Sequence, residues 1–133
     1  MTPQHGEQAF GCERCWPASA EEAWDAGLAL DGALELVRES HFHVNIRLCR
    51  DCGQRFLWVF TETIDWDDSE DPQYWTRVPI SAEEMSALEQ AGESVEGRLE
   101  SVAPERRSLR HDHPKETPAV SYWATGISVG PHD

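Results

Sequence analysis

Four cysteines are the side chains of this sequence best suited to chemistry, and they occur as two pairs. Cys12 and Cys15 form one Cys-x-x-Cys pattern, Cys49 and Cys52 form a second, and no cysteine is left over. Each pattern allows two thiolates to converge on one ion, and two patterns together supply the four ligands of a tetrahedral zinc site. We therefore predict one zinc ion bound by all four thiolates.

Two other uses of paired thiols are alternatives. Two disulfides are typical of oxidising compartments. A redox-active pair normally follows a strand and begins a helix in a βαβ setting, which neither pair here is expected to do. A zinc ion held by four thiolates has no open coordination position for water, so the predicted metal is structural rather than catalytic.

The second pair lies in the segment CRDCG, residues 49 to 53, between two strand-like runs. This segment resembles the second knuckle of zinc-ribbon and related four-cysteine zinc-knuckle domains, and the resemblance covers about residues 12 to 60. It implies a structural metal and an exposed surface that binds nucleic acid or another protein. The 33 residues between Cys15 and Cys49 exceed the interval of about 15 to 20 residues that is usual between two such cysteine pairs. A long helix is predicted within this interval, where a zinc ribbon has a hairpin.

That interval begins with a helix signal. Ser19 and Glu22 form the Ser-x-x-Glu capping pattern, in which each side chain satisfies a backbone amide of the other. Apolar residues then recur at helical spacing as far as Val37. We predict one helix from about Ala20 to about Glu39, on the order of 30 Å long, with one face covering a sheet.

Strand signals follow the predicted helix. Apolar and polar residues alternate from His41 to Leu48, which predicts a half-buried strand. The run from Phe56 to Phe60 is apolar on both faces and predicts a central strand, paired with the first as an antiparallel hairpin. A third strand is predicted from Tyr74 to Ile80. These strands place the second cysteine pair in a hairpin turn.

The predicted fold class is α+β, with a small antiparallel sheet, a four-cysteine zinc knuckle, one long helix packed on the sheet and a second short helix. The short helix should run from about Ala82 to Ala91, because Ser81 and Glu84 repeat the capping pattern. Residues 1–92 are predicted to form the zinc-binding core. Residues 93–118 are polar and proline-containing and should be flexible, while residues 119–133 form a strand-like candidate for the edge of the core sheet.

Charge restricts the classes of partner. The chain has a net charge of −14, and residues 1 to 97 carry 20 acidic and 6 basic residues, whereas residues 98 to 133 carry 5 of each. Such a field repels phosphate backbones and anionic lipids, so nucleic acid and membrane are unfavourable partners. We expect a protein partner with a basic surface. The sequence shows neither a secretory leader nor an apolar stretch of about 18 residues, which predicts a cytoplasmic protein.

The stretch from Glu62 to Trp75 is the predicted partner-binding surface, because several acids surround one tryptophan and precede two more aromatic residues. Acids steer a basic partner, and aromatic side chains can anchor it by losing their water. The candidate partner-binding residues are Trp66, Asp67, Asp68, Asp71, Tyr74 and Trp75.

The sequence therefore favours a non-catalytic zinc-binding protein that acts as an interaction or regulatory module, of immunity or inhibitor type. One alternative is a metal-dependent enzyme with a second, open site near His41 and His43. Another is a nucleic-acid-binding zinc ribbon, which would require a segregated basic face. His111 and His113 are further candidates for a second metal.

Overall fold

The structure of this chain is a computed structural model that describes residues 10–63, 71–114, 117–130 and 132. Its centre is one antiparallel sheet of six strands, and each strand pairs with its neighbours in sequence order. The strands are β1 (Asp31–Glu39), β2 (Phe42–Leu48), β3 (Arg55–Glu62), β4 (Gln73–Ile80), β5 (Arg107–His113) and β6 (Val120–Thr125). Strands β1 and β6 are therefore the two edges of the sheet.

Helices are short in this fold. Helix α1 (Ala20–Gly27) precedes β1, and helix α2 (Ala82–Ala91) follows β4. Two 3₁₀ helices, Gly92–Ser94 and Glu96–Ser101, continue the chain after α2. None of the helices in the described part of the chain is long and apolar enough to cross a membrane.

The prediction of an α+β fold with one long helix on a small sheet was wrong, because the sheet is larger and the predicted helix ends at Gly27. Residues 31–39 form the edge strand β1 instead. In β1, Leu34 pairs with Ile46 and Val37 pairs with Val44, and the register shifts at two places along the strand. Each bulge inserts an extra residue. Core-facing residues thus stand three apart, which is the spacing that predicted a helix.

The predicted hairpin, third strand and second helix are confirmed. Strands β2 and β3 pair antiparallel, β4 follows β3 in the sheet, and α2 has the predicted bounds. The capping box at α2 is complete: the Ser81 side chain accepts from the Glu84 amide at 3.1 Å, and Glu84 Oε1 accepts from the Ser81 amide at 2.8 Å.

The segment 93–118, predicted to be flexible, includes most of the two 3₁₀ helices and the whole of strand β5. Leu99, in the second 3₁₀ helix, and Ser108 and Leu109, in β5, are fully buried. The sequence did not indicate that these leucines are buried, because isolated apolar residues in a polar segment do not form a helical or strand-like pattern of hydrophobicity. Strand β6 extends the sheet at the edge, where the C-terminal strand-like segment was expected.

The two faces of the sheet bury different kinds of side chain. The face that we call the aliphatic face packs against α2, the second 3₁₀ helix and Ile127, and its buried residues on the sheet are Phe42, Val44, Ile46, Leu57, Val59, Val78 and Ile80. The opposite face, here called the aromatic face, carries Phe56, Trp58, Phe60, Trp75 and Trp123. Helix α1 lies over the β5 and β6 side of the aromatic face.

Candidate metal centre

The structure brings the four cysteines together in one cluster. Sγ of Cys12 lies 3.7 Å from Sγ of Cys15 and 3.9 Å from Sγ of Cys49, and Sγ of Cys15 lies 3.7 Å from Sγ of Cys52. All four sulfur atoms lie within 4.8 Å of one another. A tetrahedron with Zn–S distances of about 2.3 Å has edges of about 3.8 Å. The donor set therefore fits a tetrahedral metal ion.

The sulfur–sulfur distances also show that the four cysteines are not joined by disulfide bonds. All four cysteines are unbridged, and separations of 3.7 to 3.9 Å exceed the sulfur–sulfur bond length of about 2.05 Å. The cluster is therefore arranged to hold a metal ion rather than to form two disulfides.

The first cysteine pair lies on a tight loop before α1. The Cys12 amide donates to Sγ of Cys15 at 3.2 Å, and the Trp16 amide donates to the Cys12 carbonyl at 2.8 Å. Gly11 precedes the loop with a φ of +72°, and a Cβ there would lie 2.8 Å from Cβ of Trp16 and 3.0 Å from Sγ of Cys15. The loop therefore requires glycine at this position, both for its backbone and for its space.

The second cysteine pair occupies the turn between β2 and β3. The Cys49 amide donates to the Gln54 carbonyl, and the Gly53 amide donates to the Cys49 carbonyl, each at 2.9 Å. Gly53 adopts a φ of +79°, which few other residues tolerate. The strong strand pairing on both sides of the turn thus presents Cys49 and Cys52 in a defined geometry.

Gln54 joins the two cysteine loops, and the sequence analysis did not identify this role. Its Oε1 accepts a hydrogen bond from the Gly11 amide at 3.0 Å. Its Nε2 donates to the carbonyls of Arg55 and Ile80 at 2.8 and 3.0 Å. A glutamine next to a knuckle is a weak signal by itself, because its partners lie far away in sequence.

Burial divides the four thiols. Cys15 and Cys49 are buried, Cys12 is half-buried and Cys52 is exposed, while Phe56, Trp16 and Leu30 pack around the cluster. Burial raises the pKa of Cys15 and that of Cys52. The Cys15 amide lowers the pKa of Cys12 to about 7 by hydrogen bonding. A bound cation would favour the thiolate form at all four positions.

A buried arginine lies on the same side of the sheet. Arg77 is 1% exposed, its Nη1 donates to the Ala23 carbonyl at 2.6 Å, and its guanidinium lies 4.2 Å from the ring centroid of Trp58. Among the described residues, its Nε and Nη2 have no hydrogen-bond partner. Burial, together with the neighbouring Arg47, lowers the pKa of Arg77 to about 9.

Arg77 was missed by sequence reasoning, since arginine in a predicted strand usually lies on the solvent side. Glycine at position 27 makes its burial possible, because a Cβ there would collide with the guanidinium of Arg77. Arg47 also contacts Trp58, with its Cζ 3.9 Å from the ring centroid. The aromatic face therefore mixes rings with guanidinium groups, unlike the aliphatic face.

The predicted partner-binding residues are not all described by the structure. Trp66, Asp67 and Asp68 lie outside the described residues, and Asp71 lies two residues before the start of β4. Tyr74 and Trp75 are adjacent in β4, so their side chains point to opposite faces of the sheet.

Trp75 packs on the aromatic face against Phe60, with ring centroids 5.1 Å apart, and against Trp24 at 5.3 Å. Tyr74 lines a cavity of about 230 Å³ together with Arg110 and Tyr122. The two aromatic residues therefore do not form one joint surface.

The histidines considered for a second metal have other partners. His41 Nδ1 lies 2.9 Å from Glu62 Oε1, and His43 packs against Phe60 with ring centroids 5.4 Å apart. His111 stacks on Trp24 at 3.7 Å between centroids. Within the described ranges, the four cysteines are the one group of three or more histidine, cysteine or acidic side chains placed to hold a metal ion.

Comparisons with protein-family models, curated proteins and solved structures found no match for this chain. Conclusions about function therefore depend on the geometry of the cysteine cluster and on the charge of the chain.

Proposed function

We propose that this chain is a structural zinc-binding protein that acts by binding another protein. The observation that carries the zinc assignment is the cluster of four sulfur atoms, in which three of the sulfur–sulfur distances are 3.7 to 3.9 Å. Tetrahedral sites made of four thiolates select zinc or iron, and zinc is the usual ion in structural sites with this ligand set. The ion, when bound, supplies charge neutralisation and four strong bonds between distant parts of the chain.

The protein side of the site explains what those bonds would hold. Cys12 and Cys15 lie on the loop that leads into α1, whereas Cys49 and Cys52 belong to the β2–β3 turn. Joining them holds the start of α1 against the aromatic face. Two weaker links act in the same direction: the Gly11 amide donates to Gln54, and the Trp123 indole donates to the Ala18 carbonyl at 2.9 Å.

Four thiolates leave no coordination position for water, which favours a binding role over metal catalysis. The net charge of −14 would accelerate the approach of a basic protein and repel nucleic acid. We therefore infer a regulatory interaction module, of immunity or inhibitor type, with a basic protein as its partner.

Metal content tests the first part of this proposal. Native mass spectrometry and elemental analysis of the protein, purified under reducing conditions, should find one zinc ion per chain. The variant Cys52→Ser removes the exposed cysteine of the cluster and should bind much less metal than the unmodified chain. Iron at one equivalent would correct the identity of the ion, and a metal-free chain with intact fold would overturn the zinc proposal.

Affinity capture tests the second part. The tagged protein should retain a basic protein from the cytosol of its own source, and raising the salt concentration should weaken capture by slowing association. A tagged, unrelated protein of similar net charge controls for simple ion exchange. Retention of nucleic acid with no protein bound would contradict the proposal.

A further inference from the structure

The two edges of the sheet differ in how they are protected from other chains. An edge strand presents unpaired backbone N–H and C=O groups, which can pair with a strand of another molecule. Proteins usually block such edges with charged side chains, proline or bulges. Strands β1 and β6 are the two edges here, and they can be compared directly.

Strand β1 is blocked. Four of its nine residues are charged, namely Asp31, Glu35, Arg38 and Glu39. Its register with β2 shifts between Gly32 and Leu34 and again between Glu35 and Val37. These irregularities twist the edge and displace its backbone groups from a regular ladder, so another strand cannot pair along its whole length.

Strand β6 lacks charges, proline and bulges, and α1 packs against it. Its six residues, VSYWAT, include no charge and no proline, and they pair with β5 one to one without a register shift. Val120 is 49% exposed and Tyr122 is 38% exposed. At one end, the Thr125 carbonyl accepts from Arg110 Nη2 at 2.9 Å. For the rest of the strand, no hydrogen bond from a described residue reaches the outer backbone.

We propose that β6 is a self-association edge, at which two copies of this chain pair their β6 strands antiparallel and form one continuous sheet. A strand paired antiparallel with its own copy obeys a two-fold axis and closes the assembly at two chains. The alternative, β6 against β1 of a second copy, would be head-to-tail and open-ended. The bulges and charges of β1 oppose that arrangement.

Charge supports a second copy of the chain as the occupant of this edge. Residues 1 to 97 carry 20 acidic and 6 basic residues, so most surfaces of two copies repel each other. Residues 98 to 133 carry 5 of each and include both β5 and β6. The β6 edge therefore belongs to the part of the chain with no net charge, where two copies approach with the least electrostatic cost.

Sedimentation velocity over a range of concentrations tests the proposal on the full chain. The mass should rise towards twice the 15.1 kDa of one chain, and added salt should favour the dimer by screening repulsion. Val120→Lys and Tyr122→Lys should each raise the dissociation constant on the order of tenfold, because they place like charges near the two-fold axis. Lysine at position 122 retains a donor for Asp112, which Tyr122 Oη contacts at 2.7 Å.

The matched control is Leu28→Lys, since Leu28 is 73% exposed but lies outside β6; this variant should associate like the unmodified chain. Circular dichroism and metal content verify that each variant is folded. Amide exchange in residues 120–125 should slow as concentration rises, while exchange in β1 stays constant. The mass of a single chain at every concentration and salt level would overturn the proposal. So would a dimer in which amide exchange slows in β1, or a dimer whose dissociation constant is unchanged by both Val120→Lys and Tyr122→Lys.

Discussion

The two faces of the sheet are covered in different ways. On the aliphatic face, α2, the second 3₁₀ helix and Ile127 bury a continuous set of apolar side chains. On the aromatic face, α1 has only eight residues, and its buried ones are Ala20, Ala23 and Gly27. Small side chains bury little apolar area. The aliphatic face is therefore held by the hydrophobic effect, whereas the cover of the aromatic face needs additional links.

Those links are the cysteine cluster, a few hydrogen bonds and the contacts between rings and guanidinium groups. Trp24 of α1 contacts Trp58, Trp75 and His111, and Arg77 reaches the Ala23 carbonyl. The comparison suggests that a small apolar cover is sufficient if a metal ion bound by the four cysteines fixes the end of the covering segment. The following predictions test this division of roles.

The largest expected effect is the loss of metal. Structural zinc contributes on the order of 10 kcal/mol of apparent binding free energy, and under the proposed function that energy would hold the residue 10–30 segment on the aromatic face. Removing the metal with a chelator, or substituting Cys49→Ser, should abolish amide protection in α1 and change tryptophan fluorescence. Protection in α2 and β3 should fall less. Equal loss in all elements, measured by hydrogen exchange, would show that both faces depend on the metal.

A large-to-small substitution on the aliphatic face should lower the stability of the fold without changing the amount of bound metal. Leu57 is fully buried in β3, so Leu57→Ala should lower the free energy of unfolding by about 3 kcal/mol through lost burial and a cavity. Zinc stoichiometry should remain at one per chain. Chemical denaturation of the metal-loaded protein measures the first quantity, and loss of zinc from the folded variant would contradict the separation of the two faces.

Arg77 gives a sharper test on the aromatic face, because it is fully buried and two of its nitrogen atoms have no hydrogen-bond partner in the described part of the chain. Arg77→Met removes the desolvated charge and keeps most of the volume, so it should change stability by less than about 1 kcal/mol. Arg77→Ala leaves a cavity and should cost about 2 to 4 kcal/mol. If methionine is as damaging as alanine in thermal or chemical unfolding, the charge itself stabilises this face.

The smallest expected effect concerns α2. Burial raises the pKa of Glu84, but hydrogen bonds from Arg106 and from the Ser81 amide outweigh it and lower the pKa overall. The folded pKa thus lies below the unfolded one, so the stabilisation is present above the unfolded value and is lost as pH falls through the folded value. Glu84→Gln keeps the cap but removes the charge opposite Arg106, at a cost of about 1 kcal/mol near neutral pH.

Unfolding of both proteins from pH 3 to pH 7 measures the effect of Glu84. The stability difference between the unmodified chain and the variant should shrink in acid, while zinc loss affects both equally. A difference that is constant with pH would contradict the role of the Glu84 charge.

Some of this structure could be predicted from the sequence because the signals were local. The capping box of α2, the alternation in β2 and the apolar run of β3 each depend on residues within one turn or one strand. The spacing of the cysteines likewise predicted their common cluster, since two Cys-x-x-Cys loops satisfy one tetrahedral ion. In each case the neighbouring residues contain the whole signal.

Other features depended on contacts between residues far apart in the sequence. Bulges in β1 exist because that strand adapts to β2, and they gave Leu34 and Val37 a helix-like spacing. In β5, the polar sequence around Leu109 forms a strand because β4 and β6 pair with it on both sides. Pairing of this kind is decided by the whole sheet, and strand preference in a short segment is weak by comparison.

By itself the sequence determined which four cysteines form the cluster that could hold a metal ion, the bounds of α2 and the strands on either side of the second cysteine pair. Only the tertiary structure decided that α1 ends at Gly27, that Arg77 is buried, and that β6 is an edge strand of the sheet. The physical reason is the range of the interactions. Caps, turns and ligand spacings act over a few residues, whereas burial and strand pairing depend on which distant segments meet.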